Sequence, residues 1–412
     1  MNIWLLQIGE PIPIGGFDRK GRLSYLCDSL AKRGHRIIRW GSAFNHLTKQ
    51  MISEGDADIQ ISENYTVKLI RGLGYKKNIS IRRWLDHLIL EKRIVKIAKK
   101  MDLPDVIFIA IPPHGLAYEM VRFARKMRVP VIVDIRDQWP DIFVDMLPGV
   151  LRKFGKYIFA YEYFKLKNAL SSADSITAMM EDLLLWGLDS AKREKSKRDK
   201  VFYIGNHATK TIDLNTIRSE VQNVIKKLSN KIIFTFIGTF NNFYNPSIIV
   251  EVAKLLEKDG RNDIAFVLAG NGGCYEEVAK KAEALKNVTM TGWLNQQELM
   301  AVLNISDVGI CPLNEDRPCF PNKVFNYLSA YLPVISSTPG EFERLINDYR
   351  LGIYYKPGDK TGLYNAVLEL SKKELRNEMS KNVRQQFSEQ FDAERIYSDF
   401  AKHIEDVASI NK

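Results

Sequence analysis

The chain has 412 residues, too many for one typical hydrophobic core, so two domains of about 200 residues are expected. Its apolar content is that of a globular protein, without low-complexity tracts, and no run of 18 apolar residues predicts a membrane-spanning helix. The net charge of +11 points to an anionic partner: a membrane surface, a nucleic acid or a phosphorylated substrate.

The opening MNIWLLQIGEP lacks the basic region of a signal peptide and reads as a first β-strand, residues 3–8. A loop through Gly15 and Gly16 follows, then a helix at 21–32 and a strand at 36–40. Residues 67–71 predict a strand and 80–100 a long basic helix. A strand at 105–111, a helix at 116–127 and a strand at 131–135 continue the alternation. They are followed by one helix at 151–170 and strands at 175–178 and 201–204. The same rhythm resumes with a strand at 232–237 closing on Gly238, a helix at 246–258 and a strand at 264–269. That strand ends in Gly270-Asn271-Gly272-Gly273. A helix at 275–285, strand 288–291, helix 296–304 and strand 308–311 come next. Such βα alternation predicts two doubly wound parallel sheets, divided near Gly205-Asn206, with ligands at the carboxyl ends of the strands.

The segment PNKVFNYLSAYLPVISS, 321–337, concentrates the chemistry. It reads as a loop, a helix with Asn322 as a plausible N-cap, a turn at Pro333 and a buried strand. A helix start there offers free N–H groups and the positive dipole end, a natural seat for a phosphate. Lys323 adds a cation in the first turn, where it disfavours the helix unless an anion binds. An ordinary solvated lysine is the alternative. Cys27, Cys274, Cys311 and Cys319 are scattered, show no metal-ligand spacing with the six histidines, and fit free thiols in a reducing cytosol.

Gly15-Gly16, DIRDQWPD (134–141), LAGNGG (268–273), TGW (291–293) and PNKVFNYLSAYLPVIS occur in this order. Together they resemble family 4 retaining glycosyltransferases of the GT-B fold, closest to bacterial members that build O-antigen or capsule sugars. The resemblance covers nearly the whole chain. It implies an α/β GT-B fold with two Rossmann-like domains facing across a cleft. An acceptor domain would span 1–205 and a nucleotide-sugar domain 206–388, with a terminal helix at about 389–412 packing back on the first. It also implies sugar transfer from a nucleotide diphosphate to a glycan or polyprenyl-diphosphate-linked acceptor, with retention and in surface polysaccharide synthesis.

The resemblance further assigns roles. Lys323, the N–H groups near Asn322, and Gly16 would meet the leaving diphosphate without metal or cofactor. Gly238, Thr239, Asn271, Gly272, Trp293 and Asn326 would complete the donor site. For Trp293 a core aromatic is the alternative. Arg136 stands where many members carry a histidine, and it binds phosphate but shuttles no proton. Asp137 would orient the acceptor hydroxyl or take its proton; a structural ion pair of Arg136 with Asp134 or Asp137 is the alternative. Gly15 and His114 would contact the acceptor; for His114 a structural role is the alternative.

Departures are equally plain. The two glutamates of the family are replaced by Pro318 and Asn326, with Glu315 and Asp316 out of register, and the usual diphosphate-clamping Arg and Lys after the first strand of the second domain are missing. Lys323 is the substitute, Arg317 a weaker one. A catalytically inactive binding subunit is therefore the alternative function; a GT-B epimerase lacks an assembled acid–base set. Asp56-Ala57-Asp58 reads as a surface loop. Basic and aromatic residues mixed at 76–100 and 151–167 suit a face resting on anionic headgroups. The expected location is cytoplasmic, peripheral on the inner face of the plasma membrane. No nucleic-acid module is recognisable, so no such partner is expected.

Overall fold

Apolar runs such as IWLL (3–6), VIFIAI (106–111) and VIVDI (131–135) have no polar alternation, as strands covered on both faces require. In the computed structural model, which describes residues 1–12, 21–314 and 319–410, these runs are the central strands of a parallel sheet. The strands of the first unit are β1 (Asn2–Leu6), β2 (Arg36–Ser42), β3 (Phe44–Asn45), β4 (Gln50–Met51), β5 (Ala57–Ser62), β6 (Tyr65–Ile70), β7 (Val106–Ile111), β8 (Val131–Ile135), β9 (Ser175–Ala178) and β10 (Lys200–Val201). Eight of them form one sheet in the order β10-β9-β8-β7-β1-β2-β6-β5, in which only β5 runs antiparallel. The chain winds outward both ways from β1 and β7, so a switch point lies at their carboxyl ends.

The second unit holds β11 (Ile232–Ile237), β12 (Ile264–Ala269), β13 (Val288–Gly292), β14 (Val308–Cys311), β15 (Val334–Ser336) and β16 (Gly352–Tyr354). They form an all-parallel sheet, β13-β12-β11-β14-β15-β16, with its switch point between β11 and β14. Phe234, Phe236, Phe266 and Leu268 pack its core against the helices Pro246–Lys258 and Lys360–Leu370. The two units are residues 1–203 with 396–412, and residues 204–395. Within the first, Phe400 of the last helix stacks on Phe202 at 4.0 Å, and Glu405 accepts two 2.7 Å bonds from Arg33.

Both units are thus doubly wound α/β, as the alternation implies. Three local expectations are corrected. Residues 151–170 form three pieces, Gly149–Arg152, Gly155–Ile158 and Ala160–Ser171. The Val144 side chain occupies the space above Gly155, where a Cβ would lie 2.4 Å from it. Asp56-Ala57-Asp58 lies on the surface, as expected, but only Asp56 is in a loop, because β5 begins at Ala57. Cross-strand Lys68 donates to Asp58 at 2.7 and 2.6 Å, and Arg93 pairs with Asp56 at 2.8 Å. Residues 201–204 contribute only the short β10.

Candidate functional site

At the switch point of the second unit two strand-end turns meet backbone to backbone. Gly238 (φ +139°) follows β11 and Gly270 (φ +139°) follows β12, in a region that favours glycine. A Cβ on Gly270 would stand 1.8 Å from the Gly238 carbonyl oxygen, and one on Gly272 2.3 Å from that of Phe240. Phe240 N–H donates to Asn271 O at 3.0 Å and Cys274 N–H to Phe240 O at 3.1 Å. Gly270→Ala is expected to destabilise the protein by at least about 2 kcal/mol, read as a lowered denaturation midpoint, because neither backbone can withdraw.

The helix Asn322–Ser329 starts at the same place. Tyr327 pins it: its hydroxyl donates to Ile310 O of β14 at 3.0 Å and accepts from Ile237 N–H of β11 at 2.9 Å. This turns Lys323 inward. Its ammonium lies 4.2 Å from the Phe236 ring centre and 3.4 Å from that of Tyr244, above Gly238, whose missing side chain leaves the room. Lys323 is 7% exposed, and Nζ has no hydrogen-bond partner among the described residues. Burial lowers its pKa to about 8, against a smaller upward pull from the Cys311 and Cys319 thiols. The solvated-lysine alternative is therefore wrong.

The other donor-site expectations divide. Gly238, Gly272 and Asn271 are at this turn, Asn271 and Thr239 exposed. Trp293, just past β13, is 68% exposed and is no core aromatic. Asn322 is not the N-cap: Pro321 holds that position, and Asn322 is the exposed first helical residue. Asn326 accepts from Asn206 Nδ2 at 2.9 Å, so its carbonyl is already engaged within the unit. Gly15, Gly16, Glu315, Asp316, Arg317 and Pro318 lie outside the described residues.

The first unit has a cavity of about 490 Å³ at its own switch point. Loops after β1, β7 and β8 supply Glu10, Pro112, Pro113, Arg136, Asp137 and Trp139, and more distant segments supply His46, Tyr75, Arg83 and His87. Burial holds the imidazoles neutral, His46 at about 4 and His87 at about 3, helped by nearby cations including Arg83. The Arg83 guanidinium sits 5.0 Å from the Trp139 ring and 5.4 Å from that of Tyr75, whose hydroxyl is 2.6 Å from His46 Nδ1.

Arg136 takes the ion-pair alternative: Nε donates to Asp134 at 3.0 Å and Nη1 to Glu10. Asp137 lines the cavity, and its Oδ1 accepts from Gln138 N–H at 3.0 Å. His114 does not line it. It is buried, with Nε2 2.5 Å from Glu162, because it opens the helix His114–Met127 that packs inward. Sequence reasoning missed Glu10, His46, Tyr75, His87 and Trp139. Only Trp139, inside the DIRDQWPD motif, carried a local signal, and Arg83 was read as surface charge.

Two doubly wound units of this topology make a GT-B fold. Residues 218–386 match the family described as glycosyl transferases group 1. Over 161 residues the chain is 27% identical to UDP-Gal:alpha-D-GlcNAc-diphosphoundecaprenol alpha-1,3-galactosyltransferase of Escherichia coli. That match spans 38% of this chain and 40% of the relative, well under half of either. Among solved structures, HepE of Anabaena in complex with UDP superposes with a TM-score of 0.65 at 14% identity, covering 98% of this chain and 99% of that one. WaaG, a glycosyltransferase involved in lipopolysaccharide biosynthesis, gives 0.63 at 13% identity, covering 98% and 99%.

Proposed function

We propose that the chain is a retaining, hexosyl-type glycosyltransferase using a nucleotide-diphosphate sugar, with a glycan or lipid-linked acceptor, in bacterial surface polysaccharide synthesis at the inner face of the plasma membrane. The observation that carries this reading is Lys323. A buried ammonium without a hydrogen-bond partner among the described residues is costly unless an anion completes it. It stands at a helix start beside two glycine turns, where backbone N–H groups could approach an anion.

As the sugar–phosphate bond breaks, negative charge grows on the diphosphate. Lys323 and the first N–H groups of its helix are fixed to meet it, without reorganising. In the proposed acceptor cavity of the first unit, neutral His46 and His87 offer hydrogen bonds to hydroxyls, and Trp139 offers an aromatic face for a sugar ring. Asp137 is the carboxylate there that would orient or deprotonate an acceptor hydroxyl. Glu10 and Arg136 neutralise one another. Metal-independent transfer is part of the proposal, since fixed cationic and N–H groups perform the role a divalent ion would.

A thermal-shift screen with UDP, GDP, dTDP and ADP tests the reading. One nucleotide should stabilise the protein by about 2.7 kcal/mol at a hundred times its Kd; four flat responses would overturn it. The engaged Asn326 favours a second reading, a binding subunit that holds nucleotide weakly and turns nothing over. Nucleotide release from donor sugar in the presence of membrane extract separates the two.

A further inference from the structure

We propose that the outer face of the short helices between Gly149 and Ser171 is a docking surface for an anionic lipid bilayer. The inference rests on the peripheral-membrane part of the reading above and names the surface that serves it. Val150, Phe154, Tyr157, Ile158, Tyr161 and Phe164 are 50% to 80% exposed, in one stretch of 15 residues. Isolated exposed apolar residues are ordinary; a run this dense is not. The stretch is not loose. Val144 fills the space above Gly155, the Phe143 and Phe159 rings lie 6.1 Å apart, and the Tyr163 hydroxyl donates to Asp141. The inner side is thus fixed to the unit while the outer side is left to something else.

Charge identifies what that something is. Arg152, Lys153, Lys156 and Lys167 are exposed among these apolar residues. Of the nearby carboxylates, Asp145 and Asp189 are exposed, Asp189 pairing with Lys192 at 2.9 Å; Asp141 accepts from Tyr163 and Trp186, and Glu162 turns inward to His114 and Lys165 at 2.5 and 3.3 Å. A symmetric pair of copies would set these cations against themselves. A layer of anionic headgroups over hydrocarbon accepts both the cations and the aromatic side chains. The other basic stretch exposes fewer large apolar side chains, Ile79, Ile81, Trp84 and Leu85, and its arginines, like Arg152 here, are tied to the protein. Arg82 donates to Leu73 and Gly74 carbonyls, Arg83 to Asn78, and Arg93 to Arg71 and Asp56. Among the described residues no helix is long and apolar enough to cross a membrane, so this contact would be lateral.

Co-sedimentation of the full chain tests the proposal. Vesicles of phosphatidylethanolamine with phosphatidylglycerol are compared with vesicles of phosphatidylcholine alone. The wild type should prefer the anionic vesicles and lose binding as salt rises. Phe154→Ser with Tyr157→Ser should weaken binding about tenfold or more. Arg152→Gln, Lys153→Gln and Lys156→Gln together should weaken binding to the anionic vesicles about a hundredfold and reduce the salt dependence. Equal partition of the wild type onto both vesicle types, or wild-type binding by either variant set, overturns the proposal. So does a wild-type dimer in solution that the Phe154 and Tyr157 substitutions convert to monomer. Nucleotide stabilisation, measured on the same variants, should stay at the wild-type value. Loss of vesicle binding is therefore separable from failure of the donor-site reading.

Discussion

Lys323→Met should lower kcat/KM for the nucleotide-sugar about 10² to 10³-fold while making the free protein more stable. Both signs come from one fact. In the free protein the ammonium is buried without a hydrogen-bond partner among the described residues, and two aromatic rings repay only part of its lost hydration. Methionine fills similar space without charge. The stability gain near neutral pH should be roughly 1–3 kcal/mol, from the cost implied by the lowered pKa. In the donor complex the balance reverses, because removing one preorganised group that meets developing negative charge costs about 2.7–4 kcal/mol. Urea denaturation and donor kinetics on the same preparation check the pair. A variant that loses stability, or keeps wild-type donor kinetics, would refute the assignment. A merely structural lysine predicts the two quantities to fall together.

The same residue sets a pH signature, and its sign differs from that of a lysine stabilised by a partner. The folded pKa is about 8, below the usual 10.5. Between these values the unfolded chain binds a proton that the folded one does not, so stability rises with pH through this window. Below about 8 both states are protonated and the penalty is constant. Affinity for a diphosphate should move oppositely, falling as pH rises through about 8 and the free protein loses the cation. Binding above that pH should therefore take up a proton, which calorimetry in buffers of different ionisation heat measures. A nucleotide affinity that is level from pH 7 to 9 would count against Lys323.

Part of this was legible in the residues and part was not, for physical reasons. The alternation of apolar runs with helical periodicity is a local property, and so the two parallel sheets could be read from it. Lys323 could be picked out as a cation in a first helical turn. Its burial could not, since Phe236, Tyr244 and Gly238 come from other segments and only the tertiary fold brings them over it. The same holds for the cavity of the first unit, where His46, Tyr75 and His87 are far in sequence from Asp137. Asn326 looked free to bind a ligand because nothing local reveals Asn206 beside it. The break in 151–170 was missed because Gly155 inside a helical pattern has two readings, and the contact with Val144 decides between them.

Asp134→Ala should destabilise the first unit by about 3–5 kcal/mol, the range for a buried ion pair deprived of one partner. Asp134 is fully buried at the end of β8. It accepts from Arg22 at 3.1 and 3.3 Å, from Arg136 at 3.0 Å and from the Thr177 hydroxyl at 2.8 Å. Burial alone would raise its pKa, but the Arg22 and Arg136 guanidiniums outweigh this and hold it below the usual carboxylate range. Its contribution is therefore present above the unfolded carboxylate pKa of about 3.9 and is lost as pH falls through the lower folded value. Alanine removes it at every pH, leaving Arg136 with Glu10 and Arg22 with the Phe202 and Tyr203 carbonyls. Glu10 is already engaged elsewhere. It accepts from Leu23 N–H at 2.9 Å and Ser24 N–H at 3.3 Å, where Gly21 supplies no side-chain cap to the helix Arg22–Lys32. Calorimetry should show a midpoint lowered by roughly 10 °C, from about 2–4 °C per kcal/mol at this size. Adding Arg136→Met should recover part of the loss, since it withdraws one stranded charge. If Asp134→Ala left the midpoint unchanged while abolishing turnover, the cluster would be part of the reaction itself, and Arg136 would have a catalytic role beside its ion pairs.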